Sequence, residues 1–584
     1  MRMTKIICTL GPAVDDDNIL EQLILEGMDV ARLNFSHGTH EEQKVRVDRL
    51  KRIREKVGKP VPLLMDTKGP EIRMGKFENN SVTLKEGNSF VLVNEDILGN
   101  EERATISHKE LYKDVNMGTR VLINDGLVAL EVVKVVGKDI HCKVLNGGVV
   151  SNNKGVNIPE TDTHLPSLTE QDIKDIEFAV RNDFDFIACS FVRKATDVNE
   201  VRKVLKKLGG EHIKIIAKIE NREGVNNFDE ILQVADGIMV ARGDLGVEIP
   251  SEEVPIVQKM IINKCYKSGK PVITATQMLE SMINNPRPTR AESSDVANAV
   301  YDGTSAIMLS GESAAGKYPI ESVKTMSKIA MKAEQAINYS KMLATMQFDT
   351  LDSITNAISY ATCSIAKQLN VAAIICVTHS GETARMISRF RPFCPIIAPT
   401  DDERVQRQLH LSWGVVPCLV PPLSSVEEMF EEGVKQAQKV GLVKDGDVVV
   451  ITAGAPGGIS GTTNLLKVHT VGNVLLQGEG VVKGKSTAQV CLIRKMEDFD
   501  KFYSNGEIVV VANTTNDMVP YLRTASGIIV EDSDLDSHAV TVGLALDIPV
   551  IVGAHNALSI LKNGSVVTVD ANNGQVLSGT NYQL

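Results

Sequence analysis

Eight short apolar runs recur between residues 4 and 313, and most of them are separated by a stretch with helical periodicity. The runs are TKIICTLGP, MDVARLNFS, VPLLMDT, FDFIACSF, IKIIAKIE, GIMVARGD, PVITATQM and SAIMLSGES. Runs that are nearly continuous in Val, Ile, Leu and Ala are typical of parallel strands buried on both faces. Eight strand–helix units are what a (β/α)8 barrel requires, so the pattern predicts a closed parallel barrel.

Polar side chains stand where the apolar runs end. They are Asn34, Asp66, Ser190, Glu220, Asp244, Thr276 and Ser310. The carboxyl ends of barrel strands share one rim, and barrel active sites are built there. Any strand must eventually meet polar loop residues, but so many catalytically suitable side chains at these ends favour a functional site.

Residues 72–167 interrupt the barrel pattern between its third and fourth runs. Their segments SVTLKEG, SFVLVNED and DIHCKVLNGGVV alternate apolar and polar residues and are separated by Gly and Asn turns. This texture predicts a small β-barrel domain with antiparallel strands, inserted at the rim. A domain joined there by two short linkers is well placed to act as a lid.

The predicted fold is therefore α/β and has four domains. They are a (β/α)8 catalytic barrel at 1–71 and 168–340, the β lid at 72–167, an open α/β domain at 341–472 and an extra α/β domain at 473–584.

Charge and composition exclude several classes of protein. The net charge of −11 argues against general nucleic-acid binding. The N-terminus lacks the apolar stretch of a signal peptide, and no run approaches the about 18 apolar residues that cross a membrane. Nine scattered cysteines without a CxxC pair fit a reducing compartment. The sequence thus predicts a cytoplasmic protein with no membrane or nucleic-acid partner.

The segment IIAKIENREGV carries the strongest chemical signal. Lys218 and Glu220 lie two residues apart on a predicted strand, so both project from the same face. A solvated Lys–Glu pair is the plainer interpretation, but the flanking Ile and Ala residues indicate burial. Asp244 follows a neighbouring strand beside Gly243, and its carboxylate with that of Glu220 would suit Mg²⁺.

Six motifs in order closely resemble those of the pyruvate kinase family. They are ARLNFSHG, MDTKGPEIR, IIAKIENREGV, MVARGDLGVE, TATQMLESM and MLSGESA. The resemblance covers residues 1 to about 471 and includes the inserted lid. It implies transfer of the phosphoryl group of phosphoenolpyruvate to ADP, the last step of glycolysis, by a homotetramer.

The resemblance also implies roles for residues at the rim. Glu220 and Asp244 would hold Mg²⁺ or Mn²⁺ beside Gly243, and Lys218 would offset the charge of the transferring phosphoryl group. Thr276 matches the threonine that helps to protonate the enolate, through water.

The phosphate groups and the nucleotide have their own matching residues. Arg32 and Arg73 are similar to the phosphate-binding arginines of the family, whose planar forks suit bidentate contact. Asn34, Arg73 and Lys154 would contact the nucleotide, with Lys154 arriving from the lid as it closes.

A monovalent-cation site is implied by Asn34, Ser36, Asp66 and Thr67, which match the K⁺ ligands of the family. In this family a glutamate in the DTKGPEIR motif accompanies dependence on K⁺, whereas a lysine there supplies the charge internally. Glu71 therefore predicts that K⁺ is required.

The open α/β domain contains THSGETAR, which resembles the effector loop of pyruvate kinases. Thr378, Ser380, Gly381 and Thr383 would form a phosphate cradle for a sugar phosphate or a nucleoside monophosphate, although an ordinary helix N-cap would look the same. Glu382 replaces the basic residue of other versions and argues against fructose bisphosphate. A second Gly-rich segment, GAPGGISGTTN, would close the same site.

The tail contains SDLDSHAVTVGLALDIPVIVG, which is similar to the phosphohistidine domain of enzymes that use phosphoenolpyruvate. His538 stands where that domain keeps its phosphorylated histidine, but Asp536 would repel an incoming phosphate. We interpret the tail as structural or regulatory. The alternatives are a phosphotransferase that relays phosphate through His538, a barrel lyase with a metal-bound enolate, and a non-enzymatic metabolite sensor.

Overall fold

The computed structural model describes residues 1–345, 353–423, 425–444, 447–454, 463–472 and 474–578. The chain forms two compact units. The first consists of Met1–Ser359, Thr378–Phe393 and Thr400–Pro421, and the second of Tyr360–Val377, Cys394–Pro399 and Pro422–Leu584.

The first unit begins with two strand–helix units and a third strand. These elements are β1 (Lys5–Leu10), α1 (Asp17–Glu26), β2 (Val30–Asn34), α2 (His40–Val57) and β3 (Leu63–Asp66), with a 3-10 turn at Pro12–Val14. Local sequence sets the limits of α2. Thr39 and Glu42 form a reciprocal capping box at its start, and Gly58 ends it in the left-handed conformation.

A β domain follows at the predicted place of the lid. Its elements are β4 (Ile72–Arg73), β5 (Ser81–Leu84), β6 (Ser89–Val93), β7 (Arg103–Thr105), a 3-10 turn at Leu111–Lys113, β8 (Arg120–Ile123), β9 (Val128–Val136), β10 (Asp139–Asn146), β11 (Gly148–Ser151) and β12 (Gly155–Asn157). Seven strands pair in the order β4-β12-β8-β9-β10-β6-β7, and β5 pairs with β11. The pairing is antiparallel except between β6 and β7. Two isolated bridges, Met74 with Ile106 and Phe77 with Gly99, join the chain after β4 to the chain around β7, so the sheet curls towards a barrel.

The chain then returns to strand–helix alternation. The elements are α3 (Glu170–Arg181), β13 (Phe186–Cys189), α4 (Ala195–Leu208), β14 (Lys214–Ile219), α5 (Arg222–Asn226), α6 (Phe228–Val234), β15 (Gly237–Ala241), α7 (Arg242–Glu248), α8 (Val254–Ser268), β16 (Val272–Ala275), a 3-10 turn at Glu280–Ile283, α9 (Arg290–Tyr301), β17 (Ala306–Leu309), α10 (Gly311–Ala314), α11 (Pro319–Ala336) and α12 (Tyr339–Thr345).

The predicted parallel barrel is confirmed. Its eight strands close in the order β1-β17-β16-β15-β14-β13-β3-β2. Apolar side chains from alternate strand positions fill the interior, and Leu411 from the segment Thr400–Pro421 packs into the same cluster. Parallel register places the ends of neighbouring strands side by side, for example Asn34 opposite Asp66. The rim residues therefore face one another, as the pattern requires.

The segment after the barrel alternates helices and strands. Its elements are α13 (Ile354–Gln368), β18 (Ala373–Cys376), α14 (Glu382–Ser388), β19 (Ile396–Thr400), α15 (Glu403–Leu409), β20 (Val415–Leu419), α16 (Val426–Lys439), β21 (Val448–Gly454) and β22 (Thr463–Thr470). Strand β18 pairs in parallel with β19 and β21, and β22 adds an antiparallel edge. This arrangement fits the predicted open α/β pattern.

The tail belongs to the second unit and carries one mixed sheet. Its elements are β23 (Val474–Gln477), β24 (Glu479–Val482), β25 (Lys485–Ile493), α17 (Glu497–Phe502), β26 (Ile508–Val511), a 3-10 turn at Asn516–Met518, α18 (Val519–Leu522), β27 (Gly527–Val530), α19 (His538–Leu546), β28 (Val550–Val552), α20 (Ala557–Ile560), β29 (Val566–Asp570) and β30 (Gln575–Ser578). The strand order is β23-β30-β29-β25-β26-β27-β28-β24. The four domain boundaries named above stay predictions. No helix among the described residues has the length and apolarity needed to cross a bilayer.

Candidate active site

Lys218 lies at the barrel rim between two carboxylates. Its Nζ is 2.9 Å from Asp66 Oδ1 and 2.9 Å from Glu220 Oε1, and it donates to Ser190 Oγ at 2.7 Å. The side chain is buried in the barrel mouth. Burial alone would lower the pKa of Lys218, but Asp66 and Glu220 outweigh that effect and raise this pKa above its usual value. The ammonium is therefore a fixed positive charge at the centre of the site.

Glu220 and Asp244 are the two carboxylates predicted to hold a divalent cation. Burial raises the pKa of Glu220 to about 7 in spite of the nearby Lys218 charge, and Glu220 Oε2 accepts a hydrogen bond from Phe191 N at 2.6 Å. Loss of hydration also raises the pKa of Asp244, which lines the cavity under the lid. A divalent cation between these oxygens would replace the hydration they lose, so the residues fit the predicted metal.

The rest of the metal shell must come from elsewhere. Within the described part of the chain, no three His, Cys, Asp or Glu side chains cluster as a metal site. Mg²⁺ commonly takes one or two protein carboxylates and fills its octahedron with substrate oxygens and water. Buried Glu220 and cavity-lining Asp244 would supply those two carboxylates.

Arg32 is fixed beside the same carboxylate that holds Lys218. Its Nε donates to Asp66 Oδ2 at 2.8 Å and its Nη1 donates to Thr9 Oγ1 at 2.8 Å. The burial of Arg32 and Asp66 keeps this pair out of bulk solvent. Asp66 thus orients two cations towards the barrel mouth, one from β2 and one from β14.

Thr276 adopts an unusual backbone conformation. Its φ is +66° and that of Gln277 is +51°, in the left-handed region that β-branched residues rarely occupy. Its Oγ1 accepts a hydrogen bond from Gly243 N at 2.8 Å and donates to Ala275 O at 2.6 Å. The turn therefore brings the predicted proton-transfer residue against the Gly243–Asp244 segment.

Arg242 is a residue of this site that the sequence analysis missed. Its Nη2 donates to Thr276 O at 2.7 Å and to Gln277 O at 3.2 Å, and its Nη1 lies 2.8 Å from Asp295 Oδ1. The guanidinium thereby holds the strained turn from outside. Arg242 directly precedes Gly243 and Asp244 in the MVARGDLGVE motif, and this position could have indicated its place in the site.

The predicted monovalent-cation residues lie at the ends of β2 and β3. Asn34 Oδ1 accepts from Ser36 N at 3.0 Å, and Thr67 Oγ1 accepts from Ser190 N at 3.1 Å. Asn34 is the register partner of Asp66. Asn34 and Asp66 therefore lie side by side at the rim, with Ser36 and Thr67 within two residues of them in sequence. Oxygen, which all four side chains carry, is the ligand that a hard cation prefers.

A cavity of about 270 Å³ separates the lid from the rim. Its lining includes Arg73 and Lys154 from the lid side and Asp244 from the barrel. Arg73 forms an ion pair with Glu71, and its Nη1 donates to Asn153 O at 2.8 Å. The predicted phosphate and nucleotide contacts thus share one cavity with Asp244, one of the two predicted metal ligands.

The lid also touches the rim directly. Asn157 Nδ2 on β12 donates to Glu248 Oε1 at 2.7 Å. Arg193 anchors the returning linker, because its guanidinium donates to Thr163 O at 2.9 Å and to Leu165 O at 2.7 Å. The roles of these three polar residues could not be predicted from the sequence, since they depend on contacts between distant segments.

The predicted effector residues form one tight turn. Thr378 Oγ1 accepts from Gly381 N at 3.0 Å, and Ser380 Oγ accepts from Glu382 N at 3.4 Å. Gly381 has a φ of +76°, which explains a glycine at this position. Thr383 is buried in the first turn of α14. Most of the second loop predicted for this site, residues 455–462, lies outside the described residues.

His538 stands in the first turn of α19, after Ser537. Its Nδ1 is 2.9 Å from Thr514 Oγ1 and its Nε2 is 2.9 Å from Asn516 Oδ1. An amide oxygen only accepts hydrogen bonds, so the proton resides on Nε2 and the Thr514 hydroxyl donates to Nδ1. With both ring nitrogens engaged, the imidazole presents no lone pair to an incoming phosphoryl group.

Comparisons with known proteins cover most of the chain. Residues 1–323 match the family model "Pyruvate kinase, barrel domain", residues 356–469 match "Pyruvate kinase, alpha/beta domain", and residues 503–574 match "PEP-utilising enzyme, mobile domain". The chain is 49% identical over 580 residues to a pyruvate kinase of Geobacillus stearothermophilus and 48% identical over 584 residues to one of Sporosarcina psychrophila, with 99% of each chain covered. A crystal structure of a pyruvate kinase from Cryptosporidium parvum superimposes with a TM-score of 0.77 at 40% identity, covering 80% of this chain and 96% of the other.

Proposed function

The chain belongs to the pyruvate kinase family, and from that premise we propose that its barrel rim transfers the phosphoryl group of phosphoenolpyruvate to ADP through the residues described above. The observation that supports this assignment is the buried Lys218 ammonium, fixed between Asp66 and Glu220. Pyruvate formation from phosphoenolpyruvate, ADP and Mg²⁺, followed by coupled NADH oxidation, tests it. Absence of pyruvate in every salt would contradict the assignment.

The proposed metal ligands are Glu220 and Asp244, which would hold Mg²⁺ or Mn²⁺. The bound cation would neutralise negative charge on substrate oxygens. Glu220 is kept in place by Phe191 N and by Lys218 Nζ. Asp244 lines the cavity between the rim and the lid. The carboxylates therefore define where the reacting oxygens of the two substrates meet.

Lys218 would supply a positive charge that is already in position before the phosphoryl group is transferred. Phosphoryl transfer spreads negative charge over three equatorial oxygens, and little covalent chemistry remains for the protein. A preoriented ammonium stabilises that charge without reorganising, because Asp66 and Ser190 already fix its position. Arg32, held by the other oxygen of Asp66, adds a second fixed cation for the phosphate.

Arg73 and Lys154 would bind the nucleotide from the lid side of the cavity. The phosphates of ADP carry the charge that these cations attract, and a closing lid would bring the cations to them. In the structure Arg73 already reaches across to Asn153, next to Lys154. We propose that closure over ADP completes the site and excludes water from the transferring group.

Thr276 would assist the proton transfer that converts the enolate to pyruvate. Its hydroxyl accepts from Gly243 N and donates to Ala275 O, which fixes it at the rim. To pass a proton to a water, the hydroxyl would have to turn away from Ala275 O. Arg242 fixes the turn by holding the carbonyl of Thr276. The strain at this turn is thus offset by contacts that also set the direction of the hydroxyl.

We also propose a K⁺ site formed by Asn34, Ser36, Asp66 and Thr67. Glu71 is the proposed reason that the enzyme needs K⁺. The predicted homotetramer and the cytoplasmic location stay predictions.

Allosteric activation by a phosphorylated metabolite is also proposed for the turn at Thr378–Thr383. The hydroxyls of Thr378 and Ser380 accept from the backbone and keep their own protons to donate to a phosphate. In a screen of sugar phosphates and AMP, we expect one activator to lower the half-saturating phosphoenolpyruvate concentration. Ser380→Asp should weaken that activator about tenfold or more by repulsion and leave the rate without activator unchanged. No activation by any compound in the screen would remove this part of the proposal.

The tail is proposed to be structural or regulatory. His538→Gln is expected to leave kcat and KM for both substrates within about twofold of the parent, because both ring nitrogens are already engaged by Thr514 and Asn516. Acid-labile labelling of the parent from radioactive phosphoenolpyruvate should be absent. Labelling that disappears in His538→Gln would instead support the phosphotransfer alternative.

A further inference from the structure

Four cations line a small second cavity in the first unit. Lys270 lies between α8 and β16, whereas Arg385, Arg389 and Arg391 lie on and just after α14. Among the described residues no aspartate or glutamate lines this cavity. A concentration of one charge without lining counter-ions is costly in a protein interior and points to an anion from outside.

Arg391 carries the strongest sign of a missing partner. It is only 4% exposed, and its Nη2 donates to Gly303 O at 2.7 Å. Its Nε and Nη1 are buried, and neither has a hydrogen-bond acceptor among the described residues. Burial lowers the pKa of Arg391 to about 10. The guanidinium lies over the ring of Trp413, 4.7 Å from the centroid, so an aromatic face meets the charge on one side.

The carboxylates near the other cations do not line the cavity. Asp236 acts on Lys270 and Arg385, and Glu382 acts on Arg385, from outside the lining. Lys270 Nζ donates to the carbonyl oxygens of Leu232, Gln233 and Ala235 at 2.6 Å, 3.0 Å and 2.7 Å, which satisfies its protons but not its charge. Glu334, the carboxylate that acts on Arg391 from a distance, is occupied by the backbone NH groups of Met3 and Thr4. Among the described residues, the charged side chains of the lining itself are therefore all positive.

The size and the polar lining indicate what would fit. The space open to the centre of a water-sized sphere is about 20 Å³, which suits one or two waters or a compact anion and excludes a nucleotide. Ser305 Oγ accepts from Val272 N at 3.2 Å and from Arg391 Nη2 at 3.3 Å, so its own proton is left to donate. A tetrahedral oxyanion would accept from the hydroxyl and from the guanidinium together.

We infer that this cavity is a binding site for inorganic phosphate, separate from the barrel rim and held by Arg391, Arg385 and Ser305. It joins barrel elements to the segment that carries the predicted effector turn, because Arg385 Nη2 donates to Ser380 O at 3.1 Å. The inference rests on the cavity and its cations, and it stands whether or not the effector turn binds a metabolite.

Trp413 supplies a local probe, since the chain contains a single tryptophan and that residue lines the cavity. The full chain is titrated with inorganic phosphate at constant ionic strength, while tryptophan emission is recorded and binding is measured separately by equilibrium dialysis. We expect a saturable change in emission. Glycerol phosphate, whose carbon skeleton does not fit, should produce none.

Three variants test the residues. Arg391→Met should abolish the emission change, and Arg385→Gln should weaken it about fivefold or more. Lys207→Met, at an exposed position of α4, removes a positive charge elsewhere and should respond as the parent does. If Arg391→Met does not fold, Arg385→Gln decides.

A parent without saturable emission change overturns the inference. So does a response kept in both arginine variants, or one produced by glycerol phosphate alone.

Discussion

Lys218→Met is expected to lower kcat for pyruvate formation by at least about 10³-fold, with the KM for phosphoenolpyruvate changed much less. The reason is geometric. The ammonium lies 2.9 Å from both Asp66 and Glu220, so it is a charge preplaced for the transition state rather than a flexible contact to the substrate. Loss of an interaction used mainly in the transition state lowers kcat more than it raises KM. Steady-state kinetics with varied phosphoenolpyruvate measure both constants.

The same change leaves two carboxylates beside an uncharged side chain, so folding must be checked. Thermal unfolding of Lys218→Met and of the parent provides that check. Lys214→Met is the matched control. Lys214 is the first residue of β14, so it lies towards the end of the barrel opposite the rim that holds Lys218. It should retain activity within about twofold. A folded Lys218→Met enzyme with kcat within tenfold of the parent would remove Lys218 from its proposed role.

Much of the barrel could be read from the sequence because buried parallel strands have a simple composition. Each of the eight apolar runs contains a strand of the closed barrel, and their polar ends lie on one rim. The pairing of Lys218 and Glu220 could also be predicted, since strand periodicity places residues i and i+2 on one face. Local patterns therefore predicted both the fold and the central pair.

Contacts between distant segments could not be predicted in this way. Asp66 meets Lys218 although 152 residues separate them, because β13 alone stands between β3 and β14 in the closed barrel. The strained φ of Thr276 and the clamp by Arg242 likewise arise from tertiary packing. Sequence periodicity does not indicate which carbonyl oxygen an arginine side chain will contact.

The environment of His538 in the tail also depends on contacts that the sequence does not show. A resemblance to a phosphohistidine domain placed His538 in a reactive position, and the stretch before it, which includes Asp536, argued against phosphorylation. The partners that occupy both ring nitrogens, Thr514 and Asn516, precede His538 by more than twenty residues. They reach it only once the parallel strands β26 and β27 have aligned.

Replacing K⁺ with tetramethylammonium at equal ionic strength is expected to lower kcat by about 100-fold or more, the order of one lost electrostatic contribution at a reacting centre. The charges at the rim give the reason. Arg73, a proposed phosphate ligand, is paired with Glu71, and Asp66 shares its charge between Arg32 and Lys218. The positive potential offered to two anionic substrates is thus partly cancelled, and a bound monovalent cation would restore it.

Glu71→Lys tests that explanation by adding the charge covalently. The carboxylate disappears, Arg73 is released, and an ammonium takes the place of an anion, so the variant should keep most of its activity without K⁺. Glu71→Gln is the matched control, because it releases Arg73 without adding a cation, and it should still respond strongly to K⁺. The measurement is kcat and kcat/KM for each enzyme in both salts. Equal activity of the parent in both salts would remove the K⁺ site and leave the kinase, whereas an unchanged K⁺ requirement in Glu71→Lys would show that residue 71 does not set it.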